Sequence, residues 1–156
     1  MLLLRCVVNQ RKSEQEQRYA LLPFMASMSA ELQAWWTDAF LPQWEGFSEA
    51  TLGSGVNHNS WTLQTLAVDP KYHRRGIARA LLEPVVQTAR REGGLLCVDT
   101  TVEENVAIYE KLGFQLAPKG KSNDGEARTV EECRHVFTGL TGAEVSVWIL
   151  TSRRFE

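Results

Sequence analysis

The segment from Leu63 to Ala117 constrains the fold of this 156-residue chain more than any other part. The apolar run from Trp61 to Val68 is typical of a strand, and Asp69-Pro70 ends it. Basic residues and a glycine follow, and the pattern from Gly76 to Glu92 predicts an amphipathic helix. Because a helix N-terminus exposes unpaired N–H groups and about half a positive charge, this order of elements suits an anion.

The residues that open this helix favour phosphate in particular. Gly76 lets a phosphate approach the backbone closely, and Ala78 leaves a small side chain beside it. Arg74 and Arg75 add positive charge where a pyrophosphate would lie. Neither GxxxxGK[ST] nor GxGxxG occurs, so a P-loop or a dinucleotide fold is not indicated. A solvated basic helix start that binds nothing is the alternative interpretation.

The remaining patterns describe a chain that mixes strands and helices. The run from Leu2 to Val8 predicts a strand, and Pro23 interrupts a helical pattern from Arg11 to Trp44. Pro84 is expected to kink the helix that follows Gly76. Further elements are predicted as a strand from Leu95 to Asp99, a helix from Asn105 to Leu112, a strand beginning at Phe114 to Ala117, and a half-buried strand from Glu144 to Leu150.

Aromatic residues cluster in the N-terminal third of the chain. For this cluster we favour core packing under a long connection over a substrate cage. Its members are Trp35, Trp36, Phe40, Trp44 and Phe47.

Composition excludes several classes of protein. A net charge of -2 argues against a general polyanion binder. The cysteines Cys6, Cys97 and Cys133 are scattered, which suggests neither a disulfide framework nor a zinc site. Cys97, in mid-strand, is expected to be a small buried hydrophobe. The apolar start is too short to span a bilayer and lacks signal-peptide features, so we expect an intracellular, cytoplasmic protein.

Two separated motifs carry a resemblance to a known family. The first reads LQTLAVDPKYHRRGIARALL, and the second, NVAIYEKLGF, runs from Asn105 to Phe114. In this order and at this spacing they resemble the GCN5-related N-acetyltransferases (GNAT), most closely the small fungal-type members. The similarity covers about 90 residues, from Trp61 to roughly Leu150. His73 departs from the family pattern, which has Gln or Arg at that position.

The resemblance implies a fold and a division of the chain. The expected fold is α/β (α+β), with a mixed, mostly antiparallel sheet, splayed central strands, helices on both faces and some N-terminal elements missing. We expect a single domain over residues 1–156. Its parts would be a helical portion at 1–60, an acetyl-CoA-binding core at 61–117, and a loop and last strand at 118–156.

The resemblance also implies roles for individual residues. Pantetheine would pair with backbone groups of Leu66 and Val68, and an N–H near Leu66 or Ala67 would bind the thioester oxygen. Tyr109 would protonate the departing thiolate, and Asn105 would bond to the coenzyme. Their alternatives are a core aromatic for Tyr109 and a helix N-cap for Asn105. The expected pyrophosphate contacts are His73, mainly through its backbone N–H, with Arg74, Arg75, Gly76, Ile77 and Ala78.

The general base and the surroundings of the N-terminal strand are not determined by the sequence. The general base is Asp99, Glu103, Glu104, His58 or a chain of water. From the resemblance we also expect that the chain begins part-way into the usual domain and that the strand at Leu2–Val8 exposes a sheet edge. Such an edge favours pairing with a second copy, as a homodimer.

Three functions remain to be compared. The leading expectation is an N-acetyltransferase that uses acetyl-CoA as cosubstrate and transfers the acetyl group to an unidentified amine in a ternary complex, without a metal. The runner-up is a catalytically weak or inactive GNAT-like module that binds coenzyme A or a protein partner. A nucleic-acid binder that uses Arg74, Arg75, Arg90 and Arg91 is disfavoured because acidic residues balance these arginines.

Overall fold

The central sheet of this protein runs in the order β1-β2-β3-β6-β4, and β5 pairs with β6. The structure is a computed structural model that describes residues 4–10, 19, 22–53, 56, 60–117 and 129–152. Among the described strands, β2 and β3 alone pair in parallel, and the other pairs are antiparallel. The strands are β1 Leu4–Gln10, β2 Trp61–Val68, β3 Leu96–Thr100, β4 Phe114–Leu116, β5 His135–Thr138 and β6 Glu144–Ser152.

Helices cover both faces of the sheet, and the central strand β6 contributes to both layers. Side chains alternate across a strand, so Trp148 and Leu150 join one hydrophobic cluster while Val147 and Ile149 join the other. The strand is therefore buried on both faces, not half-buried as its sequence pattern suggested. The helices are α1 Ala30–Trp35, α2 Leu41–Leu52, α3 Ile77–Arg91 and α4 Glu103–Lys111. A mixed sheet between helices confirms the expected fold class.

Helices α3 and α4 share one face of the sheet. Leu82 and Ala89 of α3 and Val106 of α4 are buried together against Leu150. Ala80 of α3 is exposed, in contrast to Leu82. Pro84 lies within this helix.

The aromatic cluster packs on the opposite face. Phe40 and Trp44 stack with their ring centroids 6.3 Å apart, and both rings contact Phe137 of β5. Phe47 is buried in the same layer as Val147. Trp35 and Trp36 are half-buried, and both rings contact Phe40, with centroids 5.6 Å and 4.7 Å from its centre. Core packing is thus confirmed for the inner members of the cluster.

Several boundaries differ from those expected. Strand β5 was not predicted, because four residues carry little periodicity. The helical region continues to Leu52, and a π-helical turn at Trp36–Phe40 joins α1 to α2. The helical pattern breaks around Ser29, which caps α1, and not at Pro23, which lies inside a helical turn at residues 22–26. The polar segment at 119–128 lies outside the described residues. No described helix is long and apolar enough to cross a membrane.

Candidate functional site

Strands β2 and β3 separate after a short parallel contact. Trp61 pairs with Leu96 and Thr62 with Cys97, and the Trp61 N–H donates to the Leu95 carbonyl at 2.8 Å. Beyond these pairs the two strands share no further register, although β2 continues to Val68 and β3 to Thr100. A gap lined by backbone groups therefore opens between the strands, which agrees with the expected splayed pair.

An irregularity in β2 decides which backbone groups face this gap. In the antiparallel pairing with β1, Val8 lies opposite Leu63 and Val7 lies opposite Thr65. Gln64 is therefore an extra residue of β2 that has no partner in β1. Residues of a regular strand alternate in the direction of their N–H and C=O groups, and Trp61 faces β3. The extra residue shifts this alternation by one position beyond Gln64. Leu66 and Val68 then direct their backbone groups toward the gap, and Ala67 directs its own toward β1.

The turn before α3 has an unusual backbone. Arg74 has φ 59° and Gly76 has φ 76°, and a non-glycine residue in this region stores strain. Gly76 occupies the N-cap position, where no side chain caps the helix. A Cβ placed on Gly76 would meet no atom within 4 Å. The first-turn N–H groups, which include those of Ile77 and Ala78, therefore lie at the positive end of the helix dipole without a side-chain cap.

His73 differs from its expected role. Its Nε2 atom donates to the carbonyl of Val68 at 2.8 Å, since a carbonyl can only accept. Its backbone N–H donates to the Pro70 carbonyl at 3.2 Å, so the N–H that was expected to bind pyrophosphate is engaged. His73 thus ties the turn to the end of β2 at a carbonyl that faces the gap.

The two arginines of the turn are arranged differently. The Arg75 guanidinium lies 5.4 Å from the centre of the Tyr72 ring, a cation–π contact. Arg74 is exposed. Further along α3, Arg79 donates from Nη2 to the carbonyl of Lys111 at 2.7 Å, which joins the start of α3 to the end of α4.

Asn105 lies inside α4 and is not its N-cap. The helix begins at Glu103 after the N-cap Val102, so the capping alternative is wrong. The side-chain amide of Asn105 donates from Nδ2 to the hydroxyl of Thr100 at 3.2 Å. Thr100 is the last residue of β3, and the sequence analysis gave it no role. A single threonine at a strand end carries no periodic or motif signal that would have identified it.

Tyr109 follows Asn105 by one helical turn and lies on the same side of α4. Its ring is half-buried and meets the Phe114 ring edge-on, with the centroids 5.7 Å apart. The phenol has no hydrogen-bond partner among the described residues. Burial, together with the negative charge of Asp99, raises the pKa of Tyr109 above its ordinary value of 10.0. The hydroxyl therefore keeps its proton at neutral pH.

The candidate bases are distributed unequally around Tyr109. Asp99 lies on β3, and its charge acts on the Tyr109 phenol. Glu103 and Glu104 occupy the exposed first turn of α4. His58 lies outside the described residues. Cys97 is buried, in line with the expected role as a small hydrophobe.

Comparison with known proteins gives a family match over part of the chain. Residues 43–116 match the family model described as the acetyltransferase (GNAT) domain. Ribosomal protein bS18-alanine N-acetyltransferase of Escherichia coli (strain K12) is 41% identical over 59 residues, which are 36% of this chain and 40% of that protein. The chain thus spans about 40% of the length of the curated relatives it matches. Residues 43–116 of this chain therefore match a GNAT acetyltransferase domain.

Similar solved structures include two N-acetyltransferases. The ribosomal-protein-S18-alanine N-acetyltransferase from Escherichia coli has 25% sequence identity and a TM-score of 0.41, covering 63% of this chain and 56% of that one. The Drosophila melanogaster polyamine N-acetyltransferase has 17% identity and a TM-score of 0.49, covering 92% of this chain and 66% of that one.

The electrostatic link between Asp99 and Tyr109 can be tested by titration. Asp99→Asn removes a negative charge that raises the pKa of Tyr109, so tyrosinate should form at lower pH than in the parent. Burial, the larger cause, is retained, and the pKa should stay above the ordinary value. Ultraviolet difference absorbance measures tyrosinate, and subtraction of matched Tyr109→Phe proteins isolates this residue. Glu103→Gln removes a carboxylate elsewhere on the site as a control. Equal shifts in both variants would contradict a specific link.

Proposed function

We propose that this protein is a member of the GNAT family that transfers an acetyl group from acetyl-CoA to an amine, with both substrates bound together. The observation that carries the proposal is the continuity of two binding features. The gap beside Leu66 and Val68 leads along β2 to the turn that precedes the uncapped N-terminus of α3. A long ligand with an extended arm and a phosphate end could place the arm in the gap and the phosphates at the turn before α3.

The phosphate end would lie on the turn before α3. The unpaired N–H groups at Gly76, Ile77 and Ala78 would donate to pyrophosphate oxygens, and the helix dipole would favour their charge. Arg74 is exposed there and would add a charge-assisted contact. Arg75 would contribute its charge from its position over Tyr72.

The pantetheine arm would occupy the gap between β2 and β3. Its amides would pair with the backbone of Leu66 and Val68, as an added strand pairs with a sheet edge. His73 holds the Val68 carbonyl in the free protein and would yield it or share it. The thioester oxygen would accept from a backbone N–H. Leu66 suits this role better than Ala67, since the extra residue in β2 directs it toward the gap.

The chemical step would follow from this placement. The amine nitrogen attacks the thioester carbonyl carbon, the C–S bond breaks, and the sulfur leaves with the electron pair. Tyr109, which holds its proton at neutral pH, would give that proton to the sulfur. The proton lost by the amine would pass to a base, for which Asp99, Glu103, Glu104, His58 and water remain the candidates.

The coenzyme site can be tested with a glycine pair. Gly76→Glu places a negative charge where pyrophosphate would lie, and we expect coenzyme A binding to be lost in calorimetry. Gly93→Glu is the matched control, because Gly93 also has positive φ (64°) and open space around its Cβ but follows the opposite end of α3. The two variants should share the same backbone strain. Equal affinity for coenzyme A in both variants would place the phosphate elsewhere.

The acid can be tested by Tyr109→Phe. This change keeps the ring contact with Phe114 and removes only the hydroxyl, so the melting temperature should change little. Loss of a general acid typically lowers the rate about 10²–10⁴-fold. Thiol release from acetyl-CoA is the readout. The amine panel includes a peptide with N-terminal alanine and a polyamine, after the acceptors for which the similar enzymes are named. An unchanged kcat would remove Tyr109 from the chemistry.

The same assay separates the proposal from its alternative. A parent protein that binds coenzyme A but releases no thiol with any amine would be the binding module.

Self-association is a further part of the proposal. β1 pairs with β2 along one edge, and no other described strand pairs with it. An open edge pairs readily with a second copy. We expect a dimer at micromolar concentration, and Leu4→Lys should shift it toward monomer because an edge lysine opposes pairing. Light scattering measures the mass. A monomeric parent would contradict the prediction.

A further inference from the structure

The hydroxyl of Thr100 uses its full hydrogen-bonding capacity. It accepts from the Val102 N–H at 3.2 Å and from Asn105 Nδ2 at 3.2 Å, and it donates to the Val102 carbonyl at 3.3 Å. A hydroxyl has one proton to give and two lone pairs that accept. Thr100 is also only 7% exposed, so water does not compete freely for these bonds.

This arrangement fixes which way the Asn105 amide points. The hydroxyl proton is committed to the Val102 carbonyl, so the Thr100 oxygen can only accept from Asn105. The side chain must then present its NH₂ group to Thr100, and its Oδ1 atom turns away. Asn105 is half-buried, and its Oδ1 has no hydrogen-bond partner among the described residues. An acceptor in this position is available to a donor from a ligand.

The location of this acceptor indicates what the donor is. Thr100 ends β3, one wall of the gap, and Asn105 and Tyr109 lie on the same side of the helix that follows. The pantetheine arm offers two amide N–H groups along its length, whereas the phosphates offer none. An acceptor at the end of β3 is therefore matched to the arm and not to the phosphate end.

We propose that Thr100 is a positioning residue that orients Asn105 so that its Oδ1 accepts an N–H of the pantetheine arm. This inference rests on the proposed function, since it needs a coenzyme in the gap. Thr100 also bonds to the Val102 backbone at the start of α4, which has no other side-chain cap. The test must therefore separate orientation of Asn105 from stabilisation of the helix.

Two probes make this separation. Coenzyme A carries the pantetheine arm, and 3′-phosphoadenosine 5′-diphosphate carries the same phosphates without it. Thr100→Val keeps the shape and removes the hydroxyl, and we expect coenzyme A to bind about 3- to 10-fold more weakly, as for one lost hydrogen bond. The diphosphate should bind as in the parent. Thr100→Ser retains the hydroxyl and should restore the affinity for coenzyme A.

A double variant distinguishes positioning from folding. In an Asn105→Ala background, Thr100→Val should not weaken coenzyme A binding further, whereas its effect on the melting temperature should persist. Equal weakening of both probes by Thr100→Val would overturn the inference in favour of a structural role. If Thr100→Val leaves the affinity for coenzyme A unchanged but raises the KM for the amine, the inference is also overturned. The Asn105 oxygen would then bind the amine substrate and not the pantetheine arm. A parent that binds neither probe would overturn the proposed function itself.

Discussion

The separation of β2 from β3 is the constraint on which the candidate site depends. Two adjacent parallel strands would normally satisfy each other's backbone groups along their whole length. Here the register ends after Thr62 and Cys97, and an extra residue at Gln64 turns the following groups of β2 toward the opening. The sheet thus keeps a short row of backbone groups that β3 does not pair, among which the Val68 carbonyl accepts from His73. A ligand with alternating amides is the natural complement of such a row.

The two helices beside the gap are fixed to each other at their ends. The Arg79 guanidinium binds the last carbonyl of α4, at Lys111, where the negative end of that helix dipole favours a cation. The N-terminal turn of α3 is thereby held against the helix that carries Asn105 and Tyr109. On the other side, His73 joins the same turn to the end of β2. The phosphate turn, the gap and the phenol thus form one connected framework.

The sequence predicted the framework better than the contacts within it. The bounds of β2 and nearly those of α3 followed from apolar runs and from the Asp69-Pro70 and Gly93-Gly94 breaks, because such signals are local. The extra residue at Gln64 depends on how β2 pairs with β1, and the role of Thr100 depends on three hydrogen bonds formed across a strand end and a helix. Neither leaves a local pattern. The start of α4 was misplaced for a related reason, since Val102 is an unusual N-cap.

The desolvation of Tyr109 bears directly on whether a phenol can serve as the acid. In water a thiol has a pKa of about 8.5 and a phenol about 10, so proton transfer from phenol to thiolate is unfavourable by about 30-fold. Burial raises the pKa of Tyr109 and would by itself enlarge this deficit. Under the proposed function, a thiolate that forms in the gap between β2 and β3 would be desolvated as well, which would raise the pKa of its thiol. Proton transfer would then be feasible only while the sulfur stays in the gap, so release of the thiol would follow protonation.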